Sequence, residues 1–82
     1  MTLQQLLHKA RGEYELTIFR DRESSEGEET LCEDEEIPEV EGCVDFREYV
    51  PEWDSIKTQR VEDFRLEPNR NYTGPAIWVT IE

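Results

Sequence analysis

Apolar positions along this chain recur with two different periods, separated by a long stretch that has neither. Leu3, Leu6, Leu7 and Ala10 fall at i, i+3, i+4 and i+7, which predicts one apolar stripe on a short helix. Thr2 and Gln5 stand before that stripe at capping-box spacing, where hydroxyl and side-chain amide satisfy each other's backbone N–H groups. Lys9 and Arg11 complement the negative end of the helix dipole, and Gly12 can supply a left-handed cap. The period then changes to two. Tyr14, Leu16 and Ile18 alternate with Glu15 and Thr17, as in a strand with one buried face, and Phe19 breaks the alternation at its margin.

From Asp21 to Gly42 the periodicity disappears, and Leu31, Ile37 and Val40 are the only aliphatic anchors there. Strand patterning resumes at Cys43, with Val44 and Phe46 facing one way and Asp45, Arg47 and Tyr49 the other, until Pro51 ends it. Ile56, Val61, Phe64 and Leu66 predict a third strand, irregular near Glu62–Asp63 and with room for a short helix. Pro68, Asn69 and Asn71 are turn chemistry, as are Gly74 and Pro75. Ile77, Val79 and Ile81 then alternate with Trp78 and Thr80 in a last strand. The expected fold is α+β and a single domain over residues 1–82. An N-terminal helix packs on a three- to four-stranded, mostly antiparallel sheet. A long acidic segment, about residues 23–54, joins the first and second strands. Short later connections suit hairpins rather than crossovers.

Composition changes this picture in one respect. The chain is 35% hydrophobic and 37% charged, with a net charge of −12, which borders on the signature of disorder. Two Trp, three Tyr and three Phe, together with the strand patterning, argue for a folded domain. The excess charge is local. Between Glu23 and Asp54 fourteen acidic residues face one base, Arg47, for a net of −13, while the rest of the chain carries +1. Such concentration destabilises the compact state by self-repulsion, and solubility alone does not require it. It argues against direct binding of nucleic acid or anionic membrane and favours a basic partner, met quickly and with strong salt sensitivity. A charge run is otherwise commonly a solvated loop. Here apolar residues from Leu31 to Tyr49 flank and interrupt it, so it can be pinned to the sheet.

Other chemistry is sparse. His8 has no nucleophile near it in sequence, and neighbouring carboxylates raise the pKa of the Cys32 thiol. Cys32, Cys43 and His8 do not make a zinc site, and Glu33–Glu36 does not follow an EF-hand pattern. We therefore expect no catalytic residues, no metal and no cofactor. No stretch approaches a membrane span, and the N-terminus lacks a signal peptide's organisation, so the expected setting is cytoplasmic with Cys32 and Cys43 as thiols. In size, acidity and element order, though not through any motif, the chain resembles phage-encoded inhibitors that mimic DNA: uracil-DNA glycosylase inhibitors, anti-CRISPR and anti-restriction proteins. That resemblance implies a stoichiometric inhibitor whose acidic segment occupies the basic nucleic-acid channel of an enzyme or effector complex. Its contact residues would be Glu26, Glu28, Glu29, Glu33, Asp34, Glu35, Glu36, Glu39 and Glu41, with Tyr49 or Trp53 as a flanking anchor. The alternative is a cellular acidic interaction module or chaperone that binds a basic protein without blocking nucleic acid. A small enzyme or metal-binding protein ranks below both.

Overall fold

The computed structural model describes residues 1–10, 12–20, 29–42, 44–68 and 74–82. Helix α1 spans Leu3–Lys9 and buries Leu3 and Leu7. Its capping box forms as expected: Gln5 N–H donates to Thr2 Oγ1 at 3.3 Å, and Thr2 N–H donates to Gln5 Oε1 at 2.9 Å. The helix ends in extended backbone at Ala10, and the left-handed residue is Gly12, with φ of 79°, two positions beyond. Arg11 lies outside the described residues.

Four strands follow, β1 Tyr14–Arg20, β2 Glu29–Ile37, β3 Val61–Pro68 and β4 Pro75–Ile81, in the sheet order β2-β1-β4-β3. The outer pairings are antiparallel and the central one, β1 with β4, is parallel. The sheet is therefore mixed rather than a meander of hairpins. The chain leaves β2 at one edge, crosses the core face, enters β3 at the other edge and returns through β4 to the middle. Gly74, just before β4, packs against the Glu13 backbone so closely that a Cβ there would overlap its carbonyl.

Two expectations are corrected. The acidic stretch is not only a link between strands: residues 29–37 within it form a strand, nine residues long. A strand carrying four successive carboxylates has no alternating apolar face, and tertiary pairing with β1 overrides that lack of pattern. Conversely, the alternation around Val44 and Phe46 is not a strand. Phe46–Glu48 is a 3-10 turn, started by Asp45 accepting from the Arg47 N–H, and Trp53–Ile56 is a single helical turn, α2. Val44 and Phe46 pack on the core from a compact connection instead, and so do Tyr49, expected on the opposite face, and Val50. The irregularity expected near Glu62–Asp63 is present as a register shift between Val61 and Asp63.

One apolar core holds the layers together. Tyr14, Leu16 and Ile18 of β1, Cys32 and Ile37 of β2, and Ile77, Val79 and Ile81 of β4 meet Leu3 and Leu7 of α1 and Val50, Trp53 and Ile56. All the sheet residues in that set belong to one face. Helices cover it, and the other face is open, bearing Thr17, Phe19, Arg65 and Trp78. There Phe19 and Trp78 meet edge to face at 6.4 Å, and the Arg65 guanidinium stands 5.7 Å above the Trp78 ring.

Candidate functional site

β2 is an edge strand, and its inward positions explain how so acidic a segment is held. Ile37 sits opposite Tyr14 with no solvent exposure, and Cys32 sits opposite Ile18, its thiol donating to the Leu16 carbonyl at 3.6 Å. Burial pushes that thiol up to about 11, and the Glu35 and Asp34 carboxylates push in the same direction. Between these anchors the register shifts. Asp34 has φ of 48°, its N–H donates to Thr17 Oγ1 at 3.1 Å, and that hydroxyl lies 3.5 Å from Asp34 Oδ1. Thr17 is the buried polar residue of the open face, so the bulge is fixed by a hydrogen bond rather than left to solvent.

The strand presents Glu33, Asp34 and Glu36 to solvent, with Glu35 half-buried opposite Leu16. Glu39 and Glu41 continue the run, exposed, beyond the strand's end. Glu15 of β1 lies directly opposite Glu36, a like-charge cross-strand pair that opposes folding. Glu15 thus joins the acidic surface, which sequence reasoning missed: alternation places it on the polar face, but only the β1–β2 register places it beside Glu36. Among the described residues, no cation lies within ion-pair reach of Glu33, Asp34, Glu35, Glu36, Glu39 or Glu41. The acids at either side of this run are different. Glu29 approaches Arg20 at 4.0 Å, Asp45 pairs with Arg47 at 3.1 Å and Asp54 with Lys57 at 3.3 Å. The Arg47 guanidinium holds the Asp45 carboxyl below its usual range.

Glu26 and Glu28 lie outside the described residues, as do Cys43 and Tyr72. Of the aromatic candidates, Tyr49 is half-buried and packs against the core. Trp53 is only 8% exposed and stacks on Phe46 with ring centroids 4.8 Å apart, so it is a core residue and no longer a candidate flanking anchor. Trp78 is the more exposed tryptophan, at 36%. Glu39 and Trp53 both line a cavity of about 450 Å³ between α1 and the β2–α2 connection, together with His8, Tyr14, Val40 and Phe46. Burial raises the Tyr14 hydroxyl to about 12. His8 is exposed on α1. Among the described residues, no group of three or more His, Cys, Asp or Glu is placed to hold a metal, and no helix is long and apolar enough to cross a membrane. Comparison of the chain with protein-family models, with curated proteins and with solved structures gave no match.

Proposed function

We propose that this protein is a stoichiometric binding protein, not an enzyme, whose acidic β2 edge occupies the basic nucleic-acid-binding surface of an enzyme or effector complex in a cytoplasm. The observation that carries the reading is the run Glu33–Glu36, extended by Glu39 and Glu41. Its carboxylates are anchored on a strand, exposed or half-exposed, and without a cation among the described residues. A strand advances about 3.3 Å per residue, so four successive acids carry one charge per roughly 3.3 Å. One strand of duplex DNA carries one phosphate per about 3.4 Å of axis. Counted along the strand axis the two spacings are comparable, and because successive side chains alternate between faces, each face of β2 carries one charge per about 6.6 Å.

Edge protection accounts for part of this pattern. Charges and a bulge on an edge strand prevent pairing with other chains, and Glu35 and Asp34 serve that purpose. It does not account for Glu39 and Glu41, which lie past the strand, or for Glu15 set against Glu36 on the open face. Those add repulsion without shielding a hydrogen-bonding edge.

The test is affinity capture of nucleic-acid-binding proteins from a host lysate. It uses the wild type and a variant with Glu33, Glu35 and Glu36 replaced by Gln and Asp34 by Asn. The wild type should retain a basic protein that either added salt or competing duplex DNA releases, and the variant should bind it roughly 100-fold more weakly. Retention indifferent to both salt and nucleic acid would falsify mimicry. Release by salt but not by nucleic acid would instead favour an acidic chaperone or interaction module.

A further inference from the structure

The opposite edge of the sheet has the reverse character. β3 carries Phe64 and Leu66 on the helix side, opposite Val79 and Ile77, yet they are 47% and 64% exposed. Arg65 and Glu67 share the open side. Met1 and Thr2 pair along the start of its outer margin, through the Val61 N–H to the Met1 carbonyl at 2.9 Å and a bridge from Thr2 to Arg60. The outer backbone from Asp63 to Pro68 has no strand beside it in the four-stranded sheet. Exposed apolar side chains on an open edge form a template for strand addition.

We infer that this edge binds a second copy of the chain, β3 against β3 in antiparallel register about a two-fold axis at Leu66. A two-fold normal to the sheet keeps both helical layers on one side and passes through a residue paired with its own copy. Only a few centres are available. Centring on Phe64 would set Pro68 of the second copy against Arg60, a position Thr2 already holds. Centring on Arg65 would place Arg65 against Arg65 and Asp63 against Glu67, both like-charged. Centring on Leu66 places Leu66 against Leu66, Phe64 against Pro68 and Arg65 against Glu67. Apolar residues then meet on the helix side, and two opposite-charge pairs form on the open side. The strand is self-complementary in this register, which an unrelated peptide would have to match by chance. The product is a continuous sheet of two four-stranded halves, with the β2 edges at its far ends.

The contact is short, so the association is weak, in roughly the micromolar range. Because both copies are strongly negative, added salt tightens the dimer, whereas it weakens capture of a basic partner. Sedimentation equilibrium of the full chain from micromolar to millimolar concentration reads the mass directly. It should rise from 9.8 kDa toward twice that value. Glu67→Arg, which sets Arg65 against a new arginine, should weaken the dimer about tenfold. Combining it with Arg65→Glu should restore it, since the double reversal rebuilds both cross-strand pairs and the 4.0 Å pair within each strand. Leu66→Asp, at a position exposed enough that the monomer's circular dichroism should not change, should abolish association. A wild type monomeric throughout overturns the inference. So does a dimer that survives Leu66→Asp, or a double reversal no better than Glu67→Arg alone.

Discussion

β2 and β3 are the two margins of one sheet, each paired to a central strand, and they solve the exposed-edge problem in opposite ways. β2 is anchored from within by Cys32 and Ile37 and is guarded outside by carboxylates and a bulge. β3 is anchored at its start, where Val61 packs against the core and Thr2 pairs beside it with Arg60, while its middle is apolar and open. Thus strand propensity and burial are decoupled from one margin to the other. The charged strand is the better buried, and the strand with the better apolar pattern is the more exposed. What fixes an edge strand is the inward side chain opposite a central-strand partner, not the polarity of the segment as a whole.

The largest effect that tests this contrast is a pair of truncations. Ile37→Ala empties a fully buried site and should reduce stability by about 2–5 kcal/mol, whereas Leu66→Ala, measured at low protein concentration, should change it by less than about 0.5 kcal/mol. Urea unfolding of both variants is the measurement. Equal losses would mean that β3 is as well anchored as β2, and the contrast would fail.

A smaller effect concerns the bulge. Thr17→Val keeps the shape of the buried side chain but removes the acceptor of the Asp34 N–H, and should cost about 1 kcal/mol. Amide exchange should quicken along β2 and leave β3 unchanged. If protection falls equally in both strands, the bulge is not a local device of the acidic edge.

The smallest effect is a pH dependence. Burial raises the Cys32 thiol from 9.0 to about 11 and the Tyr14 hydroxyl from 10.0 to about 12. Both groups hold their protons more tightly folded than unfolded. Their contribution is therefore complete below pH 9 and declines as pH rises, that of Cys32 until about 11 and that of Tyr14 until about 12. In a Cys43→Ser background, Cys32→Ala should flatten the decline between pH 9 and 11 seen by urea unfolding. An unaltered slope would show that the β2 thiol titrates alike in the folded and the unfolded chain, so that burial does not hold its proton.

Much of the scaffold was legible in the sequence because local chemistry and global packing agree there. The Thr2–Gln5 box, the Leu3–Leu7 stripe, the alternation of β1 and β4 and the irregularity after Val61 each follow from neighbouring residues. The acidic strand was not legible. Its inward residues, Cys32 and Ile37, lie five apart across a bulge, so no period of two connects them. Val44 and Phe46 alternate convincingly yet lie in and beside a 3-10 turn, because the chain there crosses from one margin of the sheet to the other. The parallel centre was hidden for the same reason: pairing partners distant in sequence leave no local trace. For the candidate site, the acids themselves were plain from composition. Glu15's place beside them and the removal of Trp53 to the core depended on register and packing.

The place of β4 has a consequence for how the molecule comes into being. The last strand in sequence is central in space, and it supplies Ile77, Val79 and Ile81 to the core. A chain emerging from the ribosome at roughly 5–20 residues per second holds its acidic hairpin for several seconds before that centre exists. Until then β1 lacks its parallel neighbour, and nothing balances the repulsion between Glu15 and Glu36. Folding should wait for the final strand and then proceed in one step, at the measured pace of a topology whose decisive contacts are long-range. The acidic surface would therefore acquire its shape late, and as a whole.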